Sequence, residues 1–292
     1  MKITNRLSLP YGLVKAVNTE RHNAENCISA TTLLQGIKHI VLTERHWDEL
    51  EDDVSDRIWA IWGQAVHSLL EHEGKHDFTE LEMSHKVGGI TVTGRIDNYD
   101  MQSGIVHDYK TASVWKAIYK DFAEWETQGM IYAWLLKKNG LEVKKCRFIA
   151  LLKDHSKTDA LRNRQYPSQP VYVHEFPVTL AGLMKIDGFI KNRLREYERC
   201  RELKDDEIPP CTPIERWDKQ TTYAVMKPGR KSAVKLFDTV QEANARATEL
   251  GSAYFVENRR GESTKCRHYC LCCRFCDYYQ AMTQEVELRI AA

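Results

Sequence analysis

No apolar run in this 292-residue chain is long enough to cross a bilayer, and no stretch of signal-peptide type stands at its start, so a soluble cytoplasmic protein is expected. Internal repeats and low-complexity tracts are missing too, which excludes solenoid arrays and long disordered linkers. Net charge is nearly absent, at +1, so the chain as a whole has no bias toward a polyanion. Charge is instead local. Residues 44–56 are acidic, whereas 137–164 carry Lys137, Lys138, Lys144, Lys145, Arg147, Lys153, Lys157, Arg162 and Arg164. Cysteine, by contrast, is plentiful. Nine cysteines are poorly explained by disulfides in a reducing compartment, and five of them crowd between Cys266 and Cys276. Such crowding points to a bound metal or cluster.

With 42% hydrophobic residues the chain can bury a full core, and its length fits one large domain or a domain with an appendage. Ser29-Ala-Thr-Thr opens a helix, with Ser29 or Thr31 as its cap. Residues 47–72 read as one longer helix, because Ile58, Ile61, Trp62, Ala65, Val66, Leu69 and Leu70 recur at helical spacing, with His67 among them. Strands are expected near 78–87, 90–97, 105–111, 146–153 and 171–176. Helices are expected near 121–138 and 178–203, before Pro209 and Pro210 break the pattern. The seven tryptophans fall mostly at helical positions and read as packing.

The most informative segment is Gly94-Arg95-Ile96-Asp97 followed by Asp108-Tyr109-Lys110, on two strands joined by the turn Met101-Gln102-Ser103-Gly104. Side chains alternate along a strand, so Asp108 and Lys110 share one face while His107 and Tyr109 take the other. If Asp100 pairs with Ile105, the same register sets Asp97 opposite Asp108, with Cβ atoms roughly 4.5–5.5 Å apart. Two carboxylates that close repel unless a cation lies between them. They could share one Mg²⁺ or Mn²⁺ through oxygen ligands, with the backbone carbonyl of Tyr109 as a neutral ligand and Lys110 beside the scissile phosphate. Glu80 and Glu82 precede the hairpin and could face the metal through water, but read first as ordinary exposed strand carboxylates, outside the catalytic set.

The order GxxxH, GxxD, DxK, QxxxY, here Gly63 to His67, Gly94 to Asp97, Asp108 to Lys110 and Gln128 to Tyr132, resembles the RecB-type branch of the PD-(D/E)xK nuclease superfamily. The resemblance spans about residues 25–155, and the cysteine-rich tail makes the chain similar to the iron-sulfur exonucleases of CRISPR adaptation and to phage-encoded relatives. It implies an α/β fold, a restriction-endonuclease-like core with a mixed central sheet flanked by helices. It also implies that His67 supplies a nitrogen ligand to the metal, and that Gln128 and Tyr132 position the strand or the attacking water. The implied activity is a metal-dependent DNA nuclease, an exonuclease on single strands or DNA ends in recombination, repair or phage DNA processing. A homo-oligomer or a recombination or CRISPR-type protein partner is implied as well.

Cys266, Cys270 and Cys276 come close to the last three cysteines of those iron-sulfur nucleases, with one residue more between the first two. Cys211, flanked by prolines, is the expected fourth thiolate of a 4Fe-4S cluster, and Cys27 competes for that place. Thiolates equally suit Zn²⁺, and Cys270-x2-Cys273 could serve as half of a zinc knuckle. The expected organisation is therefore a nuclease core over 1–210 and a cysteine-cluster segment over 211–292, which contains a small α+β insert at about 222–258. Lys227, Arg230, Lys231, Lys235, Arg259 and Arg260 make that insert locally basic, suited to phosphate tracking or simply solvated. Two other function classes stay open: a non-cleaving DNA-binding or assembly module, and a zinc-bound RNA-processing nuclease.

Overall fold

A Gly-Gly pair and a four-residue turn set the registers on which the first half of the chain depends. The computed structural model describes residues 1–17, 26–71 and 78–290. It divides into two units, Met1–Ile37 with Trp47–Glu202, and Lys38–His46 with Leu203–Ala292. The chain begins with β1 (Lys2–Thr4), α1 (Tyr11–Val17), β2 (Cys27–Ser29), α2 (Ala30–Leu33) and α3 (Ile37–Arg45). Then follow β3 (Glu51–Asp53), α4 (Ile58–Glu71), β4 (Phe78–Val87), β5 (Ile90–Asp100) and β6 (Ile105–Ala112). The unit closes with α5 (Val114–Ile118), α6 (Ala123–Lys138), β7 (Lys145–Leu152), α7 (Lys157–Arg162), β8 (Val171–Pro177) and α8 (Leu180–Arg201). As the spacing foretold, Ser29 caps α2 and accepts from the Thr32 N–H at 3.1 Å.

The central sheet is six-stranded and mixed, in the order β2-β5-β6-β7-β8 with β4 on the other edge of β5. Gly88-Gly89 turns β4 into β5 so that Val87 pairs with Ile90, and Gly88 has φ +60°, the left-handed conformation such two-residue hairpins need. The second hairpin pairs Asp100 with Ile105, and the Gly104 N–H closes its turn on the Asp100 carbonyl at 2.9 Å. Along one edge of β5, β2 pairs parallel with Thr91–Thr93 and β6 pairs antiparallel with Asn98–Asp100. Gly94–Asp97 is left between those two ladders. Ile96, Tyr99, Val106 and Phe148 from the sheet, with Ile131, Leu135 and Leu136 of α6, form the buried core.

The long helix expected over 47–72 begins only at Ile58. A helix through Asp48, Glu49, Glu51, Asp52 and Asp53 would stack like charges on successive turns. Those residues instead form a short 3₁₀ turn and β3, which pairs parallel with β1. Asp53 is the anchor: its carboxylate accepts from the Thr4 hydroxyl at 2.7 Å, the Arg6 N–H at 3.0 Å and the Ser55 N–H at 3.1 Å.

In the second unit Lys38 of α3 is buried, donates to the Ile208 carbonyl at 2.7 Å and pairs with Asp277. The His46 ring stacks on Phe275 at 3.8 Å, and its Nε2 lies 2.7 Å from Asp205. Here too are β9 (Thr222–Met226), β10 (Lys235–Phe237), α9 (Val240–Leu250) and β11 (Phe255–Arg259), then α10 (Thr264–His268) and α11 (Asp277–Ile290). The insert is a three-stranded antiparallel sheet, β10-β9-β11, with Val225, Ala243 and Ala247 as its core. Among the described residues no helix is long and apolar enough to cross a membrane.

Candidate functional site

The two hairpin registers converge on one row. Leu81 pairs with Ile96 and Thr79 with Asn98, so Glu80 stands opposite Asp97; on the other side the ladder steps from Asp100↔Ile105 to Asn98↔His107, and its next step would set Asp97 against Asp108. The β5–β6 pairing stops short of that step, and the Tyr109 N–H donates to Asp97 Oδ2 at 2.7 Å. Lys110 Nζ lies 2.6 Å from Asp108 Oδ1, on the shared face that alternation required. His67 of α4 presents Nδ1 3.3 Å from Asp97 Oδ1. The ligand atoms of His67, Glu80 and Asp97 lie within 4.8 Å of one another, at an open cleft of about 490 Å³ that Gln64, Ser68 and Arg95 also line.

Asp108 is 1% exposed, and burial pushes its carboxyl up to about 6, with the Lys110 ammonium opposing and the Asp97 charge adding to the rise. Its Oδ1 is partnered by the Lys110 ammonium. A buried carboxylate needs a facing cation, a place that Lys110 takes here and that a divalent ion could share. Behind it, Gln128 Nε2 reaches Asp108 Oδ2 at 3.4 Å and donates to the Tyr132 hydroxyl at 2.8 Å, one helical turn away as i and i+4 require. Both are buried, and burial raises the Tyr132 phenol well above its usual range. The His67 imidazole is raised as well, chiefly by its hydrogen bond to Asp97 and further by the Asp97 and Asp108 charges, against burial.

The motif glycines differ in kind. A Cβ on Gly94 would stand 2.6 Å from Leu135 Cδ1 and 3.2 Å from the Tyr132 ring, and one on Gly129 would stand 2.9 Å from Phe148 and Phe176. These two let α6 lie against the sheet. A Cβ on Gly63 would meet only Thr111 Oγ1, at 3.7 Å.

Glu80 is the residue that the sequence reading weighed beside the metal and left off the catalytic set. It adopts φ +49°, rare for a residue with a side chain, and pairs with Arg95. The signal was present: the Gly88-Gly89 turn alone sets Glu80 opposite Asp97. The tryptophans also need correction. Trp125 and Trp134 are buried, but Trp59, Trp62, Trp115 and Trp217 stand largely in solvent.

A second group of donors lies in the second unit. His39 Nδ1 is 3.5 Å from both Cys270 Sγ and Cys272 Sγ, and the two sulfurs are 3.6 Å apart. The four cysteines singled out in the sequence are electrostatic neighbours. Burial first, then Cys270, Cys211 and Cys276, pushes the Cys266 thiol up to about 12. Burial raises Cys211, which accepts from the His39 N–H and feels Cys270 and Cys276. Cys270 is raised by its contact with Cys272 and by burial, whereas burial raises Cys276 against the pull of Lys38. Thiols that so resist collective ionisation suit a cationic centre, which would hold them as thiolates. Reading the sequence did not find His39, since nothing local links it to residues more than two hundred positions away. Cys27 lies in β2 of the first unit.

Residues 20–280 match the family model of the PD-(D/E)XK nuclease superfamily. A comparison with curated proteins gives no match. Among solved structures, SSO0001 is 20% identical, with 63% of this chain and 83% of that one covered and a TM-score of 0.44. A phage-related exonuclease from Haemophilus somnus 129PT is 14% identical, covering 59% and 93%, at 0.38. An alkaline exonuclease from Laribacter hongkongensis is 10% identical, covering 60% and 89%, also at 0.38.

Proposed function

The chain belongs to the PD-(D/E)XK nuclease superfamily, and we propose that it is a divalent-metal-dependent DNA nuclease, an exonuclease working on single strands or DNA ends in recombination, repair or phage DNA processing. The reading rests above all on one observation: the buried Asp108 carboxylate paired with Lys110, in register with Asp97 and Glu80. Asp97, Asp108 and the Tyr109 carbonyl would hold the ion, with His67 and Glu80 as further ligands. A bound Mg²⁺ or Mn²⁺ supplies a polarised water and neutralises charge developing on the phosphoryl oxygens. An imidazole in the shell suits Mn²⁺ somewhat better than Mg²⁺. The Tyr109 N–H fixes the Asp97 carboxylate, and the Lys110 ammonium orients the water and offsets charge at the phosphate. Gln128 steadies the Asp108 carboxylate through Oδ2, and Tyr132 accepts from Gln128 and so positions it.

We assign Cys211, Cys266, Cys270 and Cys276 to a 4Fe-4S cluster that staples the segment over 211–292, with catalysis in residues 1–210. Anaerobically prepared protein should carry iron and sulfide and absorb broadly in the visible. Bound zinc that disappears in His39→Ala would instead assign the thiols to a single ion on His39, Cys270 and Cys272.

The test of the activity is end-labelled single- and double-stranded DNA in Mg²⁺ or Mn²⁺, with 5′-blocked, 3′-blocked and circular forms alongside. Linear DNA should shorten from an end while circles persist, and Asp108→Ala and Lys110→Ala should abolish turnover. Undiminished cleavage by either variant overturns the site. Binding without hydrolysis in both metals would make the chain a non-cleaving module, and preference for RNA would make it an RNA-processing nuclease.

A further inference from the structure

Large aromatic rings left in water are costly, and three of them stand at the end of the strand that carries Asp108 and Lys110. Trp59 is 63% exposed, Trp115 53% and Tyr119 72%. On α4, residues 59, 63 and 67 form one i, i+4, i+8 stripe. His67 on that stripe meets Asp97, Gly63 lies against Thr111, and Trp59 has the Lys153 ammonium 3.9 Å from its ring centre. The stripe therefore runs from the carboxylates outward along β6, since the Lys153 N–H bonds the Ala112 carbonyl at 3.0 Å. Past Ala112 the chain enters α5, held in place by Asp154, which accepts from the Val114 N–H at 2.7 Å and the Ser113 hydroxyl at 2.6 Å. On α5 the Trp115 and Tyr119 rings stack, 5.7 Å apart and 23° from parallel. They line an open cleft of about 440 Å³ that starts at Thr111, the residue after Lys110.

We propose that Trp59 and the Trp115–Tyr119 pair form a ledge on which unpaired bases of a single DNA strand stack as its phosphate reaches Asp97 and Asp108. The inference rests on the nuclease reading and narrows its substrate to single strands. Duplex bases keep their faces covered by one another; only an unpaired base offers a face to an aromatic ring. Eight residues of helix rise about 12 Å, and stacked nucleotides rise about 3.4 Å each, so Trp59 serves bases about three or four positions from the phosphate under attack. Lys153 sits over the Trp59 ring and gives the backbone a cationic partner, while Lys116, which lines the same cleft as Trp115, is held by Asp121 at 3.1 Å.

The experiment uses the full chain in chelator, so that binding is read without cleavage, with a dye-labelled oligothymidylate as the probe. Wild-type tryptophan emission should be quenched on binding. Trp59→Ala and Trp115→Ala should each weaken binding roughly tenfold, whereas Trp59→Phe stays within about threefold. In Mn²⁺ the alanine variants should raise KM for the oligomer but leave kcat on thymidine 5′-(p-nitrophenyl phosphate), which is too short to reach the ledge, at the wild-type value. Wild-type affinity in both alanine variants overturns the ledge, and so does a change in self-association with DNA affinity intact. The two readings fail separately. Quenching without hydrolysis in either metal removes the nuclease and supports the ledge, while cleavage untouched by the variants removes the ledge and spares the nuclease.

Discussion

Asp108 carries the sharpest conflict between folding and activity. Burial raises its carboxyl from an ordinary 3.8 to about 6, so the native protein binds a proton that the unfolded chain would release. A raised acid favours the folded state at low pH, and that contribution is lost as pH climbs from about 4 through about 6. Asp108→Asn removes the buried charge. In chelator it should match the wild type near pH 4 and exceed it at pH 8, by a margin that loss of the Lys110 ion pair narrows, while losing all cleavage. Urea unfolding of both proteins at the two pH values checks this, and equal stability at pH 8 would contradict it. Ion binding must expel protons from Asp108 and His67, so Mn²⁺ affinity should rise with pH through about 6 and level off once both groups have lost their protons. Asp97, Asp108 and Lys110 were legible because alternation and one turn length suffice to place them. Glu80 was left off the catalytic set although a still shorter turn places it, because a strand glutamate is ordinarily solvated.

The motif glycines GxxD and GxxxH look alike in sequence and differ in packing. Gly94 admits α6 to the sheet, and an added Cβ would press 2.6 Å from Leu135. Overpacking of that kind costs about 1–3 kcal/mol, and here it would also push Gln128 and Tyr132 away from Asp108. Gly63 meets nothing closer than 3.7 Å, and alanine in a helix interior is favoured by about 1 kcal/mol. Gly94→Ala should therefore lower both Tm and kcat, whereas Gly63→Ala should hold or raise Tm, as thermal melts and initial rates would record. If Gly63→Ala abolished activity without loss of stability, that glycine would be needed for substrate approach instead. Most elements were readable for the same local reasons: α6, α8 and the strands follow periodicity and turn residues. The exception is 47–57, where the helical pattern of 58–70 invites extension backwards. The acidic run and the Asp53 anchor, whose partners Thr4 and Arg6 lie almost fifty residues away, override it.

Long-range assembly was the part least open to reading. A cluster of cysteines was evident, yet nothing local reveals that Lys38–His46 joins the second unit, through Lys38 to Ile208 and Asp277 and through His46 to Asp205 and Phe275. Such pairings are fixed by the folded chain rather than by neighbours in sequence. The proposed thiol centre would have a thermal consequence. Tying Cys211 to Cys266 across the insert removes loop entropy from the unfolded chain, on the order of 4 kcal/mol by the cross-link relation. Loss of the bound metal, or Cys266→Ser, should lower the unfolding temperature of the second unit while the first, with its own sheet and core, keeps its transition. Calorimetry should then resolve one transition into two. Hydrogen exchange should locate the early one at 38–46 and 203–284 while Ile131–Leu136 stays protected. If both regions lost protection together, the centre would stabilise the whole chain cooperatively, and its role as a local staple would be wrong.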